Sequence, residues 1–213
     1  MRLSLMIAAM CAAAGAASAQ QVFSSDFESG LPAEFSGSGA VEGTQGYASY
    51  GFGSQFLRND TLGSPSILTL TNLPAHTSIS IDLVLAAIDS WDSTNGNPSP
   101  DFFNISVDDV SVFQATFANT SGSNSYGPLL VDNAGLGFSG YADDAADLST
   151  EALLHNIPHT ASTVVIKFYA SGAGWQGGSD ESWAIDNLSV TVVPAPGAAA
   201  MGLLGLAAMR RRR

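Results

Sequence analysis

Ile79-Ser80-Ile81-Asp82-Leu83-Val84-Leu85-Ala86 is the stretch on which the fold turns. Ile79, Ile81, Leu83 and Leu85 occupy every second position, with Ser80, Asp82, Val84 and Ala86 between them. Successive side chains of a strand point to opposite faces, so this stretch turns one wholly apolar face inward. Working outward, the alternation returns in Phe103, Ile105 and Val107, set against Asn104, Ser106 and Asp108. It returns again in Phe113, Ala115 and Phe117, and in Val164, Ile166 and Phe168. Residues 21–27, 66–70 and 183–193 are further strand candidates. Asp108-Asp109 separates two of the runs and predicts a tight hairpin, because Asp tolerates the backbone angles such a turn requires. The Gly- and Ser-rich stretches 37–53 and 121–127 read as loops, and 143–155 as the place for one short helical turn. There is no internal repeat of about 20 to 50 residues, which disfavours a propeller or solenoid. These features predict an all-β fold, an antiparallel β-sandwich in a single domain, with an up-and-down barrel as the alternative.

Between residues 20 and 193 only Arg58 and Lys167 are basic, against all 19 acids of the chain, a formal balance of −17. A surface of that sign repels phosphate backbones, so nucleic acid is excluded as a partner. Charged residues are 12% of the chain, against roughly 25% in ordinary domains, so the polar surface is mostly uncharged.

The two ends differ from the middle. Met1-Arg2, an apolar stretch from Leu3 to Ala14 and Ala17-Ser18-Ala19 form a secretory signal peptide over residues 1–19, to be cut by signal peptidase after Ala19. Its apolar stretch is shorter than the ~20 residues a bilayer span needs. The single cysteine, Cys11, leaves with it, so no disulfide holds residues 20–193 and packing must suffice. At the other end, over residues 194–213, Pro194-Ala195-Pro196-Gly197 leads into a small, apolar stretch to Met209 and then Arg210 to Arg213. As a helix that stretch reaches about 20 Å, short of the ~30 Å hydrocarbon core, so it predicts transient membrane contact and no stable anchor. The terminal arginines favour a cytoplasmic C-terminus during export.

Pro194-Ala195-Pro196, the Gly/Ala/Leu stretch and the arginine run resemble a PEP-CTERM sorting signal. The resemblance implies export by a bacterium that makes extracellular polysaccharide, and processing near Pro194 and Pro196 by an exosortase-type membrane protease. Ala195 stands where the motif has its acid and the apolar stretch is short, departures that match a variant form of the tail. The middle, opening with Asp26-Phe27-Glu28-Ser29-Gly30-Leu31-Pro32 and closing with Trp183-Ala184-Ile185-Asp186-Asn187-Leu188-Ser189-Val190, resembles a bacterial jelly-roll module of the lectin or carbohydrate-binding type. That resemblance implies that the first and last strands pair. It also implies a structural calcium held by Glu28 and Asp186, with Asp26 beside them.

A second acidic stretch, Asp89-Ser90-Trp91-Asp92-Ser93-Thr94-Asn95-Gly96, follows the deciding strand. It lacks the spacing and closing Glu of an EF-hand, and Asp89 and Asp92 are its candidate hard-oxygen ligands for calcium. Among the aromatics, Trp175 with Gln176 in a glycine loop has the make-up of a sugar-stacking site, Trp91 is a second ligand-binding candidate, and Trp183 reads as core. Nothing argues for an enzyme. No G-x-S-x-G elbow is present, and Pro158 prevents His155 and His159 from lying on one regular helical face. Paired acids are uninformative in so acidic a chain. The sequence is therefore read as an exported, non-catalytic surface or extracellular-matrix protein. The alternatives are a carbohydrate-binding module or lectin that meets extracellular polysaccharide and, less favoured, a secreted hydrolase.

Overall fold

The alternating run lies within His76–Asp89, a strand of 14 residues at the centre of the larger of two sheets. The computed structural model describes residues 18–119, 124–138 and 140–196; the apolar part of the signal, Cys11, the arginine tail and part of 121–127 lie outside the described residues. In chain order the strands are β1 (Gln20–Ser25), β2 (Phe35–Gly37), β3 (Ala40–Gly43), β4 (Gln55–Asn59), β5 (Ser66–Thr71), β6 (His76–Asp89), β7 (Phe102–Val107), β8 (Val110–Ala115), β9 (Val131–Ala134), β10 (Asp143–Asp147), β11 (Ile157–Pro158), β12 (Thr163–Ser171) and β13 (Glu181–Pro194). One sheet runs β3-β4-β13-β6-β10-β9, with β1 also on β13 and β11 on β6; the other runs β2-β5-β12-β7-β8. The chain changes sheet between β4 and β5, β5 and β6, and β6 and β7, so the fold is a two-sheet antiparallel sandwich and not an up-and-down barrel.

Ile79, Ile81, Leu83 and Leu85 point between the sheets at 0–1% exposure. They share that layer with Phe103, Ile105, Ile166 and Phe168 of the facing sheet, and with Trp183 of β13. Burying each such side chain contributes about 1.5–3 kcal/mol, and without a disulfide this layer is what holds the sheets together. Asp108 and Asp109 take φ of +48° and +67° between β7 and β8, the paired left-handed angles of the expected tight hairpin. The first and last strands pair as expected, Gln20 opposite Val192 through to Ser25 opposite Leu188.

Two local expectations need correction and one is met in part. Stretch 37–53 holds β3 and a 3-10 turn at Gln45–Tyr50, whose Tyr47 is fully buried and donates its hydroxyl hydrogen to Ala87 O at 3.0 Å. Stretch 143–155 does contain a 3-10 turn, at Ala152–Leu154, but begins with strand β10, whose Asp143 and Asp144 are buried. The proline pair predicts an end to the last strand, yet β13 runs through Pro194, which lies opposite His76. Proline is tolerated there because the pairing with β1 stops at Val192, leaving an edge where no N–H is needed. The next N–H, of Ala195, donates to Ala75 O at 3.0 Å. Among the described residues no helix is long and apolar enough to cross a membrane.

Candidate functional site

The two outer faces of the sandwich differ. On the larger sheet, Tyr47, Phe52, Phe56, Ile88 and Leu136 form a second apolar cluster, so the 3-10 turn and the loop after β9 cover that face. On the smaller sheet, β12 turns Val165, Lys167, Tyr169 and Ser171 outward, all half-buried. Register places Asn104 of β7 beside Tyr169 and Ser106 beside Lys167. Asn104 is 2% exposed and fully engaged. Its amide donates to Phe102 O and Ser171 Oγ at 3.0 and 2.9 Å, and its carbonyl oxygen accepts from Gln114 Nε2 at 2.8 Å. Beside this row lies a depression of about 270 Å³ lined by Gly63, Pro65, Ser106, Asp109, Lys167 and Tyr169. Lys167 and Asp109 form an ion pair across it. It thus offers an aromatic ring, a hydroxyl, an ammonium and a carboxylate within one small hollow.

A cluster of acids sits at the sandwich end where β6 and β13 meet the approach to β7. Oxygens of Asp92, Asp101 and Glu181 lie within 4.8 Å of one another. Asp101 and Glu181 are 0% exposed and Asp92 is half-buried. Asp101 Oδ2 accepts the Asp92 N–H at 2.8 Å, and Glu181 Oε2 accepts the Gln176 N–H at 2.7 Å. Burial pushes the Asp101 carboxyl up to about 6, with the charge of Asp92 adding to the rise and the Asp92 N–H opposing it. Burial likewise pushes Glu181 up to about 8, reinforced by Asp101, Asp180 and Asp92. Asp92 is raised by burial first and by Asp180 second. Sequence reasoning finds Asp92 but misses both buried members. Asp101 stands alone in a Pro- and Ser-rich stretch, and Glu181 is far off in sequence.

Of the other metal candidates, Glu28 and Asp186 do converge, on the segment Gly53–Gln55. Asp186 Oδ2 accepts the Gly53 N–H at 2.9 Å and Oδ1 its neighbour Asn187 N–H at 2.6 Å. Glu28 accepts from the Ser54 N–H, the Ser54 hydroxyl and, at 3.0 Å, the Gln55 N–H. Every oxygen of the pair therefore takes a protein donor, while the charges of Glu28 and Asp26 still add to the rise of the Asp186 carboxyl. The Ser54 hydroxyl, ahead of the Gln55 N–H, holds Glu28 below the usual carboxylate range, while burial lifts Asp186 to about 6. Asp26 is exposed and caps the Glu28 N–H at 3.2 Å; its neighbours Ser24, Ser25, Asn187, Leu188 and Ser189 line a separate hollow of about 280 Å³ with it. Asp89 is buried at the end of β6, outside the Asp92 cluster, and its N–H donates to Asp143 Oδ1 at 3.2 Å.

Of the aromatic candidates, Trp91 needs correction. Trp91 cannot stack a ligand: it is 0% exposed, its indole N–H donates to Ser182 O at 2.9 Å, and its ring packs edge-on to Phe117 and Trp175. The ring is a member of the main core cluster. Trp175 is half-buried and spends its indole N–H on Thr61 O at 3.0 Å, tethering the 60–65 loop that rims the Lys167–Tyr169 hollow. Gln176 is exposed but contributes its backbone N–H to Glu181. Trp183 is core, as expected. His155 pairs with Asp82 at 3.2 Å, whereas His159 hydrogen-bonds to the buried His76 at 2.7 Å and to Asp108 at 3.1 Å, so the two do not converge on one site. Ala19 is exposed next to β1, Pro194 half-buried at the end of β13 and Pro196 exposed beyond it.

No protein-family model matches the chain, and no curated protein does. Among solved structures, the xylan-binding CBM22-1 domain of Paenibacillus barcinonensis Xyn10C is similar at 12% identity and a TM-score of 0.39, covering 85% of this chain and 99% of that one. CBM27-1 of Caldicellulosiruptor saccharolyticus, solved with mannohexaose, is similar at 12% identity and 0.42, covering 81% and 96%. The K3 adhesin domain of Lys-gingipain from Porphyromonas gingivalis is similar at 9% identity and 0.39, covering 82% and 99%. At these values the likenesses transfer neither a ligand nor a residue role.

Proposed function

We propose that this chain is an exported, non-catalytic β-sandwich that binds carbohydrate on the outer face of its five-stranded sheet. The observation that carries the reading is the contrast between the two outer faces. The larger sheet is roofed by its own aromatic cluster, while the smaller one leaves a recessed polar row open beside the Tyr169–Lys167–Ser106–Asp109 hollow. A sugar ring offers an apolar face for a Tyr ring and a rim of hydroxyls for charged and polar groups, and this hollow supplies both with fixed geometry. Asn104, locked by Gln114, Ser171 and backbone, keeps Tyr169 and its strand in place behind it. Export rests on the signal-like start and the sorting-like tail, and a polysaccharide outside the cell is the ligand class that this reading favours.

Glycan-array or affinity-electrophoresis binding tests the assignment. Tyr169→Ala should abolish retardation on the polysaccharide bound by the wild type, and Lys167→Ala should weaken it. Asn187→Ala, in the hollow beside Asp26, should leave it unchanged. Wild-type binding that survives Tyr169→Ala would place the ligand elsewhere, and no binding to any glycan would return the chain to the plain surface-protein reading.

A further inference from the structure

Asp92, Asp101 and Glu181 come from three separate segments: the turn after β6, the approach to β7 and the first residue of β13. Asp101 and Glu181 are each fixed through one oxygen by a backbone N–H. Their other oxygens, Asp101 Oδ1 and Glu181 Oε1, are fully buried and take no N–H or hydroxyl donor among the described residues; the two side chains meet carboxyl to carboxyl, a contact that needs a shared proton or a cation. A buried carboxylate oxygen without a donor or counter-charge is strongly disfavoured, and neither Arg58 nor Lys167 serves here, their carboxylate partners being Glu42 and Asp109. Glycine lets the neighbouring backbone close directly onto these carboxylates. A Cβ at Gly174 would lie 2.6 Å from Asp101 Oδ1 and 2.7 Å from Pro98 O, and one at Gly96 would lie 2.5 Å from Asp92 Oδ1.

From this geometry we infer that Asp92, Asp101 and Glu181 form a binding site for a divalent cation of the calcium class. The donor set is all oxygen, which suits calcium and not zinc or copper. Calcium–oxygen distances of about 2.3–2.6 Å allow two ligands to stand up to about 5 Å apart across the ion, and the 4.8 Å limit on this cluster meets that requirement. The nearby Pro98 carbonyl is a further oxygen of the type calcium accepts. Magnesium, which needs a tight octahedron and sheds water reluctantly, fits a partly buried, loop-built cluster less well. The cation joins β6 and β13 of one sheet to β7 of the other, and through the Gln176 N–H it orders the loop that carries Trp175. The site does not depend on the carbohydrate reading, since the Tyr169 hollow is built from other residues.

Terbium provides the test, because Trp175 lies next to Gln176 and can sensitise its emission when indole is excited. The purified, chelator-treated full chain should give sensitised emission at a stoichiometry of one ion, displaced by calcium at about millimolar concentration or below and by magnesium only at tenfold or greater excess. Glu181→Gln should abolish it. Asp92→Asn, at a half-buried position that the fold tolerates, should weaken calcium at least tenfold while the circular dichroism spectrum stays native. Glu28→Gln should leave it intact. Absence of emission and of calorimetric heat with calcium would overturn the inference and leave Asp101 and Glu181 as a pair sharing a proton. Binding retained in Asp92→Asn and Glu181→Gln but lost in Glu28→Gln would overturn it equally, by moving the ion to the other end of β13.

Discussion

Asp144→Asn should flatten the pH dependence of stability between about pH 4 and pH 8. Asp144 lies on β10, 0% exposed, with Oδ1 accepting the Asn133 N–H at 2.7 Å and Oδ2 lacking a donor among the described residues. Burial, with Asp132 and Asp143 adding like charge against the opposing Asn133 N–H, raises its carboxyl from 3.8 to about 6. In the unfolded chain it ionises near the ordinary value, so between those two values the folded state holds the extra proton. The stability linked to this group is therefore full below about pH 4 and lost as pH rises through about 6. The slope approaches 1.4 kcal/mol per pH unit and the total is about 3 kcal/mol, since each tenfold gain in proton affinity on folding contributes about 1.4 kcal/mol. An amide of the same shape does not ionise. Urea denaturation of both proteins at several pH values gives the stability of the variant minus that of the wild type, a difference in which the other acids largely cancel. That difference should move in the variant's favour by up to about 3 kcal/mol between pH 4 and pH 8. A difference constant across the range would show that Asp144 titrates alike in both states, and the burial argument would fail.

Two further outcomes follow from the packing and the strand ends. Trp91→Ala should cost about 3–5 kcal/mol in urea denaturation yet leave glycan binding at Tyr169 unchanged; loss of binding with stability intact would restore Trp91 as a ligand contact. Mass spectrometry of the exported protein should find Gln20 as the first residue and no Arg210 to Arg213, with Pro194 retained because the β13 ladder runs through it. Intact termini on surface material would remove both processing steps.

Much of the sandwich is legible in the sequence because its signal is local. Alternation in β6, β7 and β12 depends only on neighbouring residues, and the Asp108-Asp109 turn on two side chains that tolerate left-handed backbone. Strands β2, β4, β9 and β11 have two to five residues each and sit at or near sheet margins, where partners and not pattern define them. β10 escapes a sequence reading because Asp143, Asp144 and Asp147 look like surface, yet the first two are buried. The site is less legible still. Asp92 is visible as an acid after a strong strand, but Asp101 and Glu181 reach it only once three segments fold together. Alternation alone puts Tyr169 and Lys167 on the outward face of their strand, where the structure has them. Nothing in the sequence says that this face, unlike the other sheet's, stays uncovered.

The buried acids explain how a chain of this composition holds its loops. Asp89, Asp101, Asp143, Asp144, Glu181 and Asp186 are all 0–1% exposed, and Arg58 and Lys167 cannot neutralise six carboxylates. Five of them are anchored on backbone instead. Asp101 holds the Asp92 N–H, Glu181 that of Gln176, Asp143 those of Asp89 and Leu136, Asp144 that of Asn133, and Asp186 those of Gly53 and Asn187. Most of these N–H groups belong to loops at strand ends, where no ladder partner exists and a buried donor needs one. A short, rigid carboxylate gives a charge-assisted bond of about 1.5–3 kcal/mol at such a point. In a domain with no cysteine after Cys11, these bonds fasten loops of the kind that a disulfide fastens in exported folds. The same device leaves spare oxygens wherever one bond satisfies only half of a carboxylate. At Asp101 and Glu181 two such spare oxygens belong to one cluster with Asp92, and a cation bound there would let the same carboxylates fasten loops and hold the ion.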